Sequence, residues 1–346
     1  MKIKIAYANE DEKAILITAQ NKHHSEAEEA YQSKANDKKT AKQDPSVAVF
    51  AFDLQQCLPT PYLKTSISFY KRHLWTYNLT VHNLATNEAT CYIWDESVSG
   101  RGGNQIASCL YRHIMDLSPD VKQVCFYSDT CGGQNKNSHV AAMFMTVLKD
   151  KKTLKCIDHK FLISGHTHME CNVDPAVIEK AKKKTTMKIS HPYDWVQLIR
   201  GCKTVNPFKV KVMECGDFLN FADTLKTIFV QKKISENGDK FLWKDLQWAR
   251  YCVEDTGILY YKSSLKSEDG FKKVNFRRRG KQIISGTITV SKIHKGPVPI
   301  NKEKKKNLME LLHLIDKQFH AFYKNFKVAD VPDTDPDLIE VDPDEH

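Results

Sequence analysis

Two short stretches dictate most of what this chain can fold into. Ser46-Val-Ala-Val-Phe-Ala-Phe-Asp53 and Lys122-Gln-Val-Cys-Phe-Tyr-Ser-Asp129 are largely apolar on both alternating faces, and each closes on an aspartate. A strand that is apolar on both faces has to be covered on both sides, so the two segments read as central strands of a sheet that carries helices.

The segments between and after them supply the remaining elements. Leu74–His82 and Ala89–Trp94 alternate in polarity, and the polar Asn83–Glu88 stretch between them predicts a hairpin. After Gly102 the period changes to that of a helix, with Ile106, Cys109, Leu110, His113, Ile114 and Leu117 on one side. Ser138 is placed to cap a second helix bearing Val140, Ala141, Phe144, Val147 and Leu148. Leu154–Ile163 reads as a fifth strand, and Glu170–Lys184 as a third helix whose lysine-rich end suits the negative pole of its dipole. The order β-β-β-α-β-α-β-α predicts an α/β fold with a mixed five-stranded sheet. It resembles the ribonuclease-H-like fold, which would set the first and fourth strands side by side and parallel.

Four regions follow. Residues 1–45 are polar, with a helix through Ser25–Ala35 that Asp44-Pro45 ends. Residues 46–190 hold the α/β order. Residues 191–327 predict a smaller β-rich and helical module, with strands at Phe208–Met213, Phe241–Trp243 and Gly257–Tyr261. Its last helix carries Leu308, Leu311, Leu312, Ile315, Phe319, Phe322 and Tyr323 at helical spacing. Residues 328–346 form an acidic, proline-punctuated tail expected to be disordered.

Charge narrows the partners. The chain has 52 Lys and Arg against 42 Asp and Glu, a net +10, and eight of those acids crowd into Asp330–His346. The body is therefore more cationic than the total suggests. Phe271–Lys306 concentrates the excess, including Arg277, Arg278, Arg279 and Lys281. Such density suits a polyphosphate partner, although a solvated loop or an import signal has the same composition. No apolar run reaches the roughly 18 residues of a membrane-spanning helix, and the N-terminus lacks the apolar core of a secretory signal. The expected location is the nucleus or the cytoplasm, not the secreted space. The ten cysteines form no C-x-x-C pair, so they read as reduced thiols packed like small hydrophobes.

The chemistry gathers on the two strand-ending aspartates. Asp53 and Asp129, on strands that the fold order makes neighbours, would repel each other and be costly to desolvate. A divalent cation between them, Mg²⁺ or Mn²⁺, removes both costs and supports two-metal phosphodiester chemistry. A third acid from the helix after the fifth strand would complete the set, and Glu170 and Asp174 are the candidates. Aspartates that merely cap turns would look the same in sequence. Between strand and helix, Thr130-Cys-Gly-Gly-Gln-Asn-Lys-Asn137 offers Gln134, Asn135, Lys136 and Asn137 to a phosphate or a base. His166 and His168, in Gly-His-Thr-His, could line the same site or carry protons. The chain has no phosphate-binding P-loop, dinucleotide loop or G-x-S-x-G elbow.

Phe-Asp53-Leu-Gln-Gln, Tyr-Ser-Asp129-Thr-Cys-Gly-Gly-Gln-Asn-Lys-Asn, Gly-His-Thr-His-Met-Glu-Cys and the later Pro-Ile-Asn-Lys-Glu-Lys-Lys-Lys resemble a large family of mobile-element-associated animal proteins, over about residues 22–327. By fold order that family resembles the DDE/D transposase and integrase branch of the ribonuclease-H-like superfamily. Related sequences are acidic where this chain has Asn172. If that position is the third ligand, catalysis is crippled here; if Glu170 or Asp174 serves, it is not. The resemblance implies a transposase-derived, metal-dependent nuclease or strand-transfer domain acting on DNA. The alternatives are a nucleic-acid-binding protein without turnover and a protein-interaction scaffold. DNA or another nucleic acid is the expected partner, a membrane is not, and assembly into a homo-oligomer stays open.

Overall fold

The structure is a computed structural model that describes residues 10–163, 170–278 and 288–333. It opens with helix α1 (Glu10–Gln43), strands β1 (Val47–Leu54) and β2 (Leu58–Thr60), and the short helix α2 (Ser66–Phe69). The hairpin β3 (Leu74–Asn83) and β4 (Ala89–Asp95) follows, then α3 (Gly103–Met115), β5 (Gln123–Ser128), α4 (Ser138–Asp150), β6 (Cys156–Phe161) and α5 (Glu170–Lys184). The remainder comprises α6 (Pro192–Gly201), β7 (Lys209–Val212), α7 (Phe221–Thr227), β8 (Trp248–Cys252), β9 (Ile258–Lys262), β10 (Lys272–Asn275), β11 (Ile300–Asn301), α8 (Lys302–Glu310), α9 (His320–Lys324) and β12 (Val328–Ala329).

The fold is mixed α/β. One large sheet runs β10-β9-β8-β6-β5-β1-β3-β4-β7, with β2 beside β3. At its centre β1 pairs parallel with β5 and antiparallel with β3, and β5 pairs parallel with β6. Phe50, Phe52 and Phe126 point to one face and pack with Ile106, Leu110, Phe144 and Val147 of α3 and α4. Val49, Ala51, Cys125 and Tyr127 point to the other, where Ala30 of α1 meets them. Both faces of β1 and β5 are thus covered, which accounts for their lack of polar alternation. Farther along that second face, Ile178 of α5 and Trp195 and Ile199 of α6 cover Ala89, Cys91 and Ile93 of β4.

The five expected strands are all present as β1, β3, β4, β5 and β6, but a five-stranded sheet is too small. Apart from β11, which pairs with β12 in a separate two-stranded sheet, the strands of residues 191–327 join the large one: β7 joins β4, and β8, β9 and β10 extend it beyond β6. A buried acid makes that extension. Asp158 of β6 accepts from Trp248 Nε1 at 2.7 Å and from Arg250 Nε and Nη2 at 2.8 and 3.0 Å, both on β8, and from Gln123 Nε2 of β5 at 3.1 Å. β8 escaped the periodicity because Arg250 interrupts it, and β10 because Lys272 and Lys273 open it.

Other boundaries moved for local reasons. Asn137, not Ser138, caps α4: its Oδ1 accepts from Val140 N at 3.1 Å. Phe241–Trp243 is no strand; Trp243–Asp245 forms a 3₁₀ turn within the excursion between α7 and β8. The terminal helix is broken, because the backbone turns extended at Ile315 and Asp316. The apolar stripe still does its work, since Leu308, Leu311, Ile315 and Tyr323 bury together against Leu74 and Ile300. The helix expected over Ser25–Ala35 is part of the much longer α1. It is clamped by Asp37, whose Oδ2 accepts from Lys160 Nζ and Tyr127 Oη, each at 2.6 Å. None of the nine described cysteines is in a disulfide. No helix among the described residues is long and apolar enough to cross a membrane.

Removing the acid that joins β6 to β8 should be costly, because it strands a guanidinium and an indole N–H. Asp158→Ala is expected to lower unfolding stability by about 3 kcal/mol in urea. Asp158→Asn, which keeps an acceptor oxygen, should lose less. An Ala variant within about 0.5 kcal/mol of the parent would contradict this account of the sheet's extension.

Candidate active site

Strand pairing brings Asp53 and Asp129 near each other. Side chains alternate along a strand, so Asp53 of β1 shares the face of Val49 and Ala51, on which Cys125 and Tyr127 of β5 also lie, and Asp129 is the first residue after β5. The paired register ends with Ala51 opposite Tyr127; Asp53 follows two residues later on β1 and Asp129 just past the end of β5, near enough for the charge of Asp129 to act on Asp53. The pair therefore sits at the carboxyl ends of parallel neighbours, where open α/β sheets bind ligands.

The environment of the two carboxylates is unequal. Asp53 is half-buried, and its carboxyl is raised from 3.8 to about 7, first by burial and then by the charge of Asp129, with the Leu54 N–H opposing. Asp129 Oδ1 accepts from Cys131 N at 3.0 Å and from Asn135 Nδ2 at 2.6 Å. These contacts fix the loop after β5 around the acid and leave its second oxygen, Oδ2, outside both bonds.

Asp174 does not join the pair. Its Oδ2 accepts from His82 Nδ1 at 2.7 Å, and Lys203 Nζ lies 3.5 Å from its Oδ1. The expected trio of Asp53, Asp129 and Asp174 is thereby corrected: Asp174 is buried and neutralised over β3. Among the described residues, no three His, Cys, Asp or Glu side chains converge as a metal would need. Glu170 is the first residue of α5, one helical turn before Asp174, but its side chain lies outside the described residues, as do His166 and His168.

Most of the loop residues expected to touch nucleic acid have structural duties. Asn135 is fully buried and clasps Asp129. Asn137 caps α4 and donates from Nδ2 to Gly132 O at 2.8 Å, and a Cβ on Gly103 would collide with its amide. Lys136 is buried, with Nζ donating to Lys244 O at 3.0 Å. Gln134 is the half-buried member of the group. The basic stretch shows the same pattern. Arg277 Nε donates to Thr256 O at 2.9 Å, and Arg278 donates to Phe229 O and Leu225 O at 2.9 and 3.2 Å. Lys304 is buried against Glu96 at 2.7 Å. Guanidinium groups spent on carbonyls tie loops down rather than wait for phosphate. Arg279 and Lys281 lie outside the described residues.

A cavity of about 650 Å³ opens beside Asp129, where Thr130 and Gly132 line it. Lys232, Lys233, Lys240 and Lys244 come to it from the excursion between α7 and β8, with Phe241 and Trp243 between them. The sequence carried a signal for it, lysines interleaved with aromatics in Gln231-Lys-Lys-Ile-Ser-Glu-Asn-Gly-Asp-Lys-Phe-Leu-Trp-Lys244. Reading Phe241–Trp243 as a strand hid it.

The raised Asp53 carboxyl has a direct consequence for stability. Folded Asp53 holds its proton up to about pH 7, whereas an unfolded aspartate releases it near 3.8. Its contribution is complete below about pH 4 and is lost as pH rises through about 7, at up to about 1.4 kcal/mol per unit. Asp53→Asn should remove that slope, and Asp129→Asn should flatten it by deleting the like charge. Melting at pH 5 and pH 8, with the Asp53 carboxyl followed by NMR, checks both. A parent protein with equal contributions at the two pH values, or an Asp53 carboxyl that titrates near pH 4, would contradict the description of the pair.

The family model of a domain of unknown function, DUF7869, matches residues 75–245. That span runs from β3 to the 3₁₀ turn at Trp243–Asp245. It includes Asp129, Asp174 and much of the lysine-lined cavity, while Asp53 lies ahead of it. No curated protein matches the chain.

Proposed function

We propose that the chain is a ribonuclease-H-like domain of transposase descent, a divalent-metal-dependent nuclease or strand-transfer enzyme acting on DNA. One observation carries this reading: the carboxylates of Asp53 on β1 and of Asp129, just past the end of its parallel neighbour β5, lie close enough for one charge to act on the other, and no ion pair reaches either among the described residues. The strand order supports it, with the first strand between an antiparallel hairpin and a parallel partner.

The donor set fits a hard cation. Mg²⁺ is commonly held by one or two carboxylates, with waters and substrate phosphates filling the remaining positions. Asp53 and Asp129 would hold Mg²⁺ or Mn²⁺, and Glu170 remains the candidate third ligand. When bound, the metal supplies activation of an attacking water or hydroxyl and charge neutralisation at the leaving oxygen. The protein's part is orientation. Asn135 and Cys131 N hold Asp129 in place, and the paired strands keep it near Asp53.

A second reading, a nucleic-acid-binding protein without turnover, has its own observation: Asp174 is committed to His82 and Lys203, and the neighbouring position 172 is an asparagine. A single assay separates the two. Cleavage of labelled DNA in Mn²⁺ should fall to background in both Asp53→Asn and Asp129→Asn while the fold persists. Cutting that survives either substitution rules this site out. Salt-sensitive DNA binding with no cutting by the parent protein selects the second reading.

A further inference from the structure

The cavity beside Asp129 has a chemistry of its own. Its inner wall is apolar, with Phe161 and Phe241 buried and Trp243 half-buried, the last set edge-on to Phe241 at 5.2 Å between ring centroids. Its outer side is cationic. Lys233, Lys240 and Lys244 are exposed, and Lys232 is half-exposed. Lys136 sits deeper, 5.1 Å from the Phe161 ring centroid. None of the described residues lining the cavity is acidic.

The excursion that carries these lysines is held in shape. Arg278 grips its start through Phe229 O, and Lys272 of β10 pairs with Asp239 at 2.8 Å. Ser235 N donates to Asp239 O at 2.8 Å, and Gly238, at φ +87°, makes the tight turn that closes the loop. The cavity is therefore preformed, and its volume is that of a small-ligand site.

These two walls select the ligand. A simple inorganic anion gains nothing from three aromatic rings, and an apolar molecule gains nothing from five lysines. A nucleotide presents a flat aromatic base and an anionic phosphate together. A base stacked within a duplex has no free face to offer, so the nucleotide must be unstacked. We infer that this cavity binds one unstacked nucleotide of a single-stranded nucleic acid, the base against Trp243, which Phe241 backs from the core, and the phosphate among Lys232, Lys233, Lys240 and Lys244. Thr130 and Gly132 place it directly after Asp129 on the chain, so a strand seated there is led toward the Asp53–Asp129 pair. Only that last step rests on the reading of the pair as a phosphodiester site; the binding itself does not.

The test uses the full chain in EDTA, so that no metal contributes. A short single-stranded oligothymidylate is titrated against tryptophan fluorescence and, with a labelled end, against anisotropy. Binding with quenching is expected, weakening steeply with salt, and tighter than to a duplex of the same length. The double variant Lys240→Glu, Lys244→Glu alters exposed side chains that the fold does not need, and should weaken binding by at least about tenfold and reduce the salt slope. Trp243→Ala should weaken it by about tenfold while changing the salt slope little. Because the titration is run in EDTA, binding there does not depend on a metal held by Asp53 and Asp129, which separates this inference from the fate of the metal site. Unchanged affinity in the lysine variant overturns the inference. Preference for the duplex overturns it as well, as does equal competition by inorganic phosphate or by thymidine monophosphate.

Discussion

Two like charges held together by backbone pairing are the constraint on which the rest of the structure turns. β1 and β5 are hydrogen-bonded in parallel as far as Ala51 and Tyr127, and Cys131 N and Asn135 hold Asp129 just beyond, so the two aspartates are kept near each other. Both strands are buried on both faces, and the pair sits half-buried where they end. Burial and repulsion then act in the same direction on Asp53 and hold its proton to about pH 7.

The other acids on the same face make the contrast. Asp37 meets Lys160, Asp158 meets Arg250, and Asp174 meets Lys203 and His82. Each of these carboxylates is matched by a cation and knits elements together: α1 to the sheet, β8 to β6, and α5 to β3. The chain thus neutralises buried acids wherever they serve packing. The cations that lie near the unmatched pair belong instead to the lysine-lined cavity, whose exposed members face solvent beyond Asp129. Negative pair and positive pocket, side by side at the ends of the parallel strands, form a division of labour suited to a phosphate backbone held in one place and a metal held in the other.

The sequence disclosed the centre of the fold and concealed its margins. The two runs that end in Asp53 and Asp129 were legible because burial on both faces leaves a composition that nothing else explains. β3 and β4 followed from alternation about a polar turn, and α3 and α4 from the change to a helical period. β8 and β10 were hidden because their sheet contacts are made by Arg250 and Lys272 as well as by apolar side chains, and pattern reading discards charged positions. The third ligand fared worse for a related reason. An acid in a helix after the fifth strand looks the same whether it faces a metal or, like Asp174, a histidine on β3 and a lysine just past α6. The basic stretch misled in the opposite sense, since Arg277, Arg278 and Lys304 are spent inside the protein, while the lysines that line a cavity belong to a stretch with fewer of them.

The most direct measurement is the anomalous scattering of Mn²⁺ in crystals of the full chain. The account predicts an ion bound by carboxylate oxygens of both Asp53 and Asp129, at the hard-cation distance of about 2.1–2.2 Å. Saturating Mn²⁺ with no ion between those two side chains, or carboxylates that diverge to opposite faces of the sheet, would contradict it.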